Sequence, residues 1–207
     1  MNRSARKKSA PTTHSSSTSS RPRREALGRE AWLDAARDAL LAEGIGGVEI
    51  GKLARHLGVT RGGFYWFFSS RQQLLDELLT YWERTSSALF GSVVRGETRN
   101  GMSEFLAVVG LQVAEKDYDP AWDVAMREWA RTSPTVARVV RKVDDHRIGV
   151  FHQIFLDMGY RDPEALVRAR VTYYHQVGYY ALGVHQSRKQ RLALLPHYIR
   201  VLSGREP

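Results

Sequence analysis

Cysteine is absent from this sequence of 207 residues, and that absence removes several classes of protein. Without a thiol there is no disulfide framework, no thiolate zinc site and no cysteine nucleophile. Long apolar runs are also missing, because the aromatic cluster FYWFF at 64–68 is far shorter than the ~20 residues that span a bilayer. No apolar segment follows the basic N-terminus, so a secretory signal is not expected and we predict a cytoplasmic protein.

Acidic side chains are absent from residues 1–24, which hold seven lysines and arginines and therefore most of the formal net charge of +9. The stretch SAPTTHSSSTSSRPRR has too few apolar residues to offset the entropy of ordering, so we predict a disordered tail over 1–24. A basic tail suits a polyanionic partner. A solubilising leader is the plainer interpretation, and a transit peptide is disfavoured because the tail has no amphipathic apolar face.

Strand-type alternation is absent as well, and after the tail apolar residues recur at helical spacing. The pattern predicts an all-α fold of about nine helices. The first ends at Gly44, the second covers IGKLARHLG, the third starts near Thr60, and a capping box of Ser69 with Gln72 begins the fourth.

The second half of the chain is predicted to be helical after a break at 96–101. Its helices are expected over 102–116, 121–131, 134–158, 163–186 and 189–202. Pro120, Pro134 and Pro163 suit first turns, whereas Pro196 should kink or interrupt the last helix.

Enzyme motifs are missing too: there is no HExxH, no G-x-S-x-G and no phosphate loop. The acids and histidines that come closest to a metal set have no diagnostic spacing; they are Asp144, Asp145, His146 and His152. The pairs Asp123–Arg127 and Glu164–Arg168 have the i,i+4 spacing of ordinary surface ion pairs. We therefore expect a protein that is not an enzyme and that has no cofactor and no metal.

The segment KLARHLGVTRGGFY predicts a helix-turn-helix. A small residue at Ala54 lets the second helix approach, Gly58 can adopt a positive φ in the turn, and Phe64 fills the crossing. Val59 fills the space beneath the turn. The second helix of such a pair can lie in the major groove of DNA.

From about Ala31 to Leu79 the sequence resembles the TetR family of transcriptional regulators, through LLAEG, LARHLGVTRGGFYWFF and SSRQQLL. The resemblance implies a three-helix DNA-binding head, here residues 25–70, and a helical body, here 71–207, that binds a small-molecule effector and forms a homodimer. It also implies a repressor that leaves a palindromic DNA operator when the effector binds. An activator is the alternative.

The resemblance places DNA contacts on one short segment. Thr60 and Tyr65 stand where the family contacts phosphates or bases, and Arg71 stands where a lysine commonly meets the backbone. The full set of expected DNA-binding residues is Thr60, Arg61, Gly62, Gly63, Tyr65, Trp66, Arg71 and Lys52. Phe64 and Phe68 are expected to point inward. Glu49 departs from the family, which commonly has a capping threonine there.

Two aromatic segments of the body are candidates for the effector site: Trp122, Met126 and Trp129 on one helix, and Tyr174 and His175 on another. Such a lining suits a small, partly aromatic or lipophilic ligand. Core packing is the alternative for each of these residues.

The homodimer is expected to form through the last two helices, with close-approach or apolar positions at Gly178, Ala181, Leu182, Leu192, Leu195 and Ile199. The alternative is that these stripes close the core of one subunit.

A different class of function fits some of the same features. The chain would be a helical scaffold or a membrane-surface protein, whose basic tail binds anionic lipid and whose FYWFF cluster anchors at the interface. The spacing Ala54–Gly58–Phe64, followed by Tyr65 and Arg71, favours DNA, because a lipid anchor does not need it. No membrane partner is expected.

Overall fold

The computed structural model describes residues 28–93 and 100–205, and over those residues the chain forms nine α-helices and a short 3-10 helix, with no strand. The helices are α1 Arg29–Glu43, α2 Ile50–His56, α3 Arg61–Phe64, α4 Arg71–Val93, α5 Gly101–Ala114, α6 Pro120–Ala130, α7 Pro134–Asp157, α8 Glu164–Ala181 and α9 Arg188–Ser203. The all-α prediction is confirmed. The predicted disordered tail and most of the predicted break at 96–101 lie outside the described residues.

Helices α5, α6, α7 and α9 begin at short polar side chains that accept the first backbone N–H groups. Asn100 and Asp119 do this for α5 and α6, and Ser133 does it for α7. Ser187 and Gln190 make a complete capping box at the start of α9. These caps supply partners for N–H groups that the helix itself leaves unpaired.

The predicted capping box at Ser69 and Gln72 is wrong by one residue. The hydroxyl of Ser70 accepts the N–H of Gln73 at 3.1 Å, and the Gln73 side chain accepts the N–H of Ser69 at 2.7 Å. The sequence SSRQQ contains two pairs with this spacing, Ser69–Gln72 and Ser70–Gln73. Helix α4 begins at Arg71, so the second pair is the one that lies at its start.

Proline positions match the prediction at two of four places. Pro120 and Pro134 occupy the first turns of α6 and α7, but Pro163 lies just before α8. Pro196 does not interrupt α9, which continues through it to Ser203. Pro196 is exposed, so the carbonyl that loses its N–H partner there can bind water instead.

Two hydrophobic cores organise the chain. The first core joins α1, α2 and α3 to α4, α6 and the start of α7, with Trp32, Phe64 and Trp82 among its members. The second core lies among the end of α4, α5, the rest of α7, α8 and α9, and includes Phe105 and Phe155. The three-helix unit is therefore packed directly onto helices of the second half of the chain.

A buried ion pair lies between the two cores and corrects a prediction. Asp123 of α6 is buried and accepts from Arg147 of α7 at 2.5 Å, from the Trp82 indole at 3.0 Å and from the Tyr118 hydroxyl at 3.0 Å. The predicted surface pair of Asp123 with Arg127 is therefore wrong. Arg127 instead binds Asp144 at 2.6 Å. The predicted pair of Glu164 with Arg168 is confirmed, at 2.8 Å.

Candidate nucleic-acid interface

A tight turn joins α2 to α3 and fixes the angle between them. The N–H of Val59 donates to the carbonyl of Ala54 at 2.9 Å, and the N–H of Gly58 donates to the carbonyl of Arg55 at 3.1 Å. Gly58 has a φ of +67°, in the left-handed region where a residue with a β-carbon is strained by about 1–2 kcal/mol. Ala54 and Phe64 are both buried at the crossing, so the predicted helix-turn-helix is formed.

Helix α3 is one turn long, shorter than the predicted stretch TRGGFYWFF. Thr60 is its N-cap in an extended conformation, and the Thr60 side chain makes no capping hydrogen bond. Beyond Phe64 the backbone continues as turns, in which the N–H groups of Phe67 and Phe68 both donate to the Phe64 carbonyl at 3.0 Å. This compact unit presents one exposed face from Thr60 to Trp66.

The two glycines of α3 are not required by the fold. A β-carbon placed on Gly62 or Gly63 would meet nothing closer than the Thr60 hydroxyl oxygen, at 3.8 and 4.0 Å. Neither glycine has a positive φ. Each nevertheless costs helix stability, about 1 kcal/mol relative to alanine. The fold would tolerate a side chain at both positions. The absence of a side chain at both positions therefore suits a surface that another molecule approaches closely.

The five aromatic residues that follow divide into two groups. Phe64 and Phe68 are buried with their rings stacked at 5.3 Å, and Phe67 is half-buried against the first core. Tyr65 is 53% exposed and Trp66 is 87% exposed. Because three of the five rings point into the protein, the cluster does not form the continuous apolar anchor that the membrane-surface interpretation required.

The four cations of the segment 50–71, which are Lys52, Arg55, Arg61 and Arg71, have different surroundings. Lys52 binds Glu43 at 2.7 Å and lies 3.4 Å from Glu49. Arg71 donates to the carbonyl of Val48 at 2.5 Å and to that of Ile45 at 2.7 Å, so it ties α4 to the segment before α2.

The other two cations, Arg55 and Arg61, are exposed, and no partner engages either of them among residues 28–93 and 100–205. They are the positive charges of this surface that are available to an incoming anion.

One residue that positions this surface was missed by the sequence analysis. The guanidinium of Arg29 lies over the Phe68 ring at 4.4 Å, binds the Glu77 carboxylate, and donates to the Phe67 carbonyl. It thereby holds the turn between α3 and α4. No spacing signal could have identified it, because Arg29 and Glu77 are far apart in the sequence and meet only where α1 packs against α4.

The predicted effector residues do not come together. Trp122, Met126 and Trp129 are buried in the first core, where α6 packs against the three-helix head. On α8, Tyr174 is exposed and His175 is half-buried. Two open clefts lie near the α6 residues, one of about 680 Å³ beside Trp122 and one of about 810 Å³ beside Trp129.

The predicted dimer residues also separate into two sets. Ile199 is buried in the second core and Leu195 packs against it, so these two help to close the subunit. Leu182 is 80% exposed and Leu192 is also exposed. Other exposed apolar side chains on α8 and α9 are Val167, Val171, Tyr174, Leu194, Tyr198 and Val201.

Three of the four residues considered as metal ligands, Asp144, His146 and His152, have protein partners instead. Asp144 binds Arg127, His152 lies 2.8 Å from Asp162, and His146 contacts the Ser87 carbonyl. Within the described ranges, no three acidic, histidine or cysteine side chains gather in a way that could hold a metal ion. Over those same ranges, each helix is too short or too polar to cross a bilayer.

Comparison with known proteins identifies the head. Residues 33–78 match the family model of bacterial regulatory proteins of the tetR family. Over 51 residues the chain is 35% identical to the HTH-type transcriptional regulator SrpR and, separately, to the HTH-type transcriptional regulator TtgW, both of Pseudomonas putida. Each match covers 25% of this chain, and they cover 24% and 38% of those two relatives.

Solved structures extend the likeness to the body. Escherichia coli NemR in its reduced form has a TM-score of 0.67 and 18% identity, over 84% of this chain and 96% of that one. A TetR transcriptional regulator from Legionella pneumophila has a TM-score of 0.65 and 12% identity, over 89% and 100%. At these identities the likeness establishes the fold alone.

The fold and the exposed α3 face define a helix-turn-helix protein with a helical body. Residues 33–78 therefore match a tetR-family head, and the overall fold is similar to that of solved TetR regulators.

Proposed function

We propose that this chain binds a palindromic DNA operator as a homodimer in the cytoplasm and represses transcription until a small effector releases it. The observation that carries the proposal is the α3 face: two glycines that the fold does not need, an unengaged Arg61, and exposed Tyr65 and Trp66. This face is open where a helix-turn-helix meets a major groove.

Each group on that face has a chemistry that suits DNA. The Arg61 guanidinium can donate two hydrogen bonds to the O6 and N7 atoms of a guanine. The hydroxyls of Thr60 and Tyr65 can donate to phosphate oxygens, which positions the protein without reading sequence. The Trp66 ring can contact a sugar or a thymine methyl group.

Selection of bound DNA from random sequence tests the proposal directly. We expect a palindromic consensus, because a two-fold symmetric dimer presents two copies of α3 to two half-sites. In mobility shifts on that consensus, Arg61→Ala should lose about 1–3 kcal/mol of preference at one base position, whereas Tyr65→Phe should weaken binding to all sequences. Arg141→Ala, at an exposed arginine of α7, is the matched control and should bind as the parent does. Selection that enriches no sequence would contradict the proposal.

The exposed apolar side chains of α8 and α9 support the dimer. Val167, Val171 and Tyr174 repeat at i, i+4 and i+7 on α8, so they share one face of that helix. An exposed apolar face of this kind is typical of a protein–protein interface.

Val171→Asp should therefore give a monomer in sedimentation analysis, because a carboxylate would lose its water at the interface. Val124→Asp, at an exposed valine of α6, should leave the mass unchanged. If Val171→Asp keeps the same mass as Val124→Asp and the parent, this face of α8 is not the dimer interface.

The basic tail at residues 1–24 is proposed to add phosphate contacts. Removal of residues 2–24 should weaken operator binding and flatten the dependence of log affinity on log salt, since fewer counterions would be released. Titrations at several salt concentrations measure both quantities. If the slope does not change, the tail has no part in DNA binding.

A further inference from the structure

The outer face of α2, the first helix of the helix-turn-helix, carries a row of charged side chains. Glu49 is the N-cap of α2, and Lys52 and Arg55 follow at spacings of three residues, so they are neighbours along one side of the helix. Leu53 and Ala54 point into the first core instead. In a helix-turn-helix on DNA the first helix crosses the backbone while the second lies in the major groove. The charged face of α2 would therefore lie beside phosphates.

Lys52 does not act as a free cation on this face. Its ammonium nitrogen lies 2.7 Å from a carboxylate oxygen of Glu43 and 3.4 Å from a carboxylate oxygen of Glu49. The hydrogen bond to Glu43, followed by that to Glu49, raises the pKa of Lys52. One positive charge between two negative charges leaves this cluster net negative, so as a whole it repels a phosphate.

The charge balance, more than the strength of these ion pairs, decides what Lys52 does near DNA. The pairs are exposed and contribute little, so their strength alone would not keep Lys52 from a phosphate. A Lys52 that turned to a phosphate would leave Glu43 and Glu49 uncompensated beside the same polyanion. The attraction gained by the lysine would then be offset by repulsion of the two carboxylates.

Arg55 is in the opposite situation. Its side chain is exposed, and within the two stretches of chain that the structure describes it has no partner. Its backbone is held in place, because the Arg55 carbonyl accepts the N–H of Gly58 at 3.1 Å in the turn that leads to α3. A free guanidinium on a fixed backbone is suited to a charge-assisted, bidentate pair with a phosphate.

We propose that α2 binds a DNA phosphate through Arg55, and that Lys52 binds no phosphate but neutralises Glu43 and Glu49. This rests on the proposed function in one respect, that the head binds duplex DNA; it depends on neither the operator sequence nor an effector. The plainer alternative is that Arg55 only stabilises the C-terminal end of α2, where a helix is partially negative. That alternative predicts a lower melting temperature for a neutral variant and no change in DNA binding.

The test is the salt dependence of binding of the full chain to a duplex of fixed length and arbitrary sequence. Arg55→Gln should flatten the slope of log affinity against log salt by about 0.9 for each bound subunit, because one phosphate contact is lost. Arg55→Lys keeps the charge and should keep the slope. Arg141→Gln removes the same charge from the exposed side of α7 and should also leave the slope unchanged. A parental slope for Arg55→Gln would overturn the assignment of Arg55, whatever its melting temperature.

Lys52 is tested by a double variant that does not change the net charge. Glu43→Gln with Lys52→Gln removes the closer ion pair, and the salt slope should stay at the parental value. If the slope flattens as much as it does for Arg55→Gln, Lys52 is itself a phosphate contact and its assignment as a neutralising residue is wrong.

The outcome for the proposed function is read separately, by selection of bound DNA from random sequence. A flatter slope for Arg55→Gln in a chain that selects no consensus would support the phosphate contact and contradict the operator. A parent chain that binds no duplex at all would overturn both.

Discussion

The two hydrophobic cores differ in what they join. The second core lies wholly among helices of the body, whereas the first core unites the three-helix head with α4, α6 and the start of α7. Met126 of α6 is as deeply buried as Phe64 of the head, and both belong to the first core. The head is therefore not an independent unit, and the position of α6 bears directly on the position of the exposed α3 face.

The boundary between the cores is polar. Arg147 is 2% exposed, and its guanidinium lies 4.7 Å from the centre of the Phe90 ring in the second core. Its partner Asp123 accepts from the Trp82 indole in the first core. Burial alone would lower the pKa of Arg147, but the Asp123 carboxylate more than compensates and raises it. This network links the two apolar regions, so substitutions in it are expected to change the unfolding free energy most.

The largest expected effect comes from Arg147→Met. It leaves the Asp123 carboxylate buried without its cation, which should cost about 3–5 kcal/mol of unfolding free energy. Denaturant unfolding measures this loss. The double variant Asp123→Leu with Arg147→Met should recover much of it, because no unpaired charge remains buried. Arg141→Met, on the exposed side of α7, should lie close to the parent; a similar loss there would mean that the charge pair is not the cause.

A matched pair of truncations separates the two cores. Met126→Ala and Ile154→Ala each remove a fully buried side chain and should each cost about 2–5 kcal/mol. Only Met126→Ala should speed amide hydrogen exchange in α1, since its cavity opens in the core that holds the head. Ile154→Ala should speed exchange in α5 and α8 instead. The same exchange pattern for both variants would mean that the cores unfold as one unit.

The smallest expected effect is a gain in stability. Gly62→Ala and Gly63→Ala should each stabilise the head by about 0.5–1 kcal/mol, because the added methyl group has room and restricts the unfolded chain. Both should weaken DNA binding if the bare backbone is where DNA approaches. Gly149→Ala, at an exposed glycine of α7 with open space around it, should stabilise without any change in binding. Unchanged DNA affinity for all three variants would remove the glycines from the interface.

The sequence was informative wherever the signal is local. Ala54, Gly58 and Phe64 lie close together along the chain and constrain one another, so the helix-turn-helix was predictable. The partners of Asp123 and Arg29 were not, because each pair joins two different helices and forms only when those helices pack together. For the same reason the aromatic stripe on α6 could not be told apart from a ligand site: its spacing is the same whether it faces a cavity or the head. Pro196 shows that a local signal can also mislead. A proline inside a helix usually interrupts it, but α9 continues through this exposed proline.

The burial pattern of the tryptophans gives the protein its own optical probe. Of the five, Trp32, Trp82, Trp122 and Trp129 are buried, and Trp66 alone is exposed, on the face of α3. Iodide in solution should therefore quench the fluorescence of Trp66 and leave the other four nearly untouched. DNA that covers this face would shield Trp66 from iodide, so the quenchable fraction of the emission reports occupancy of the surface on the unlabelled chain.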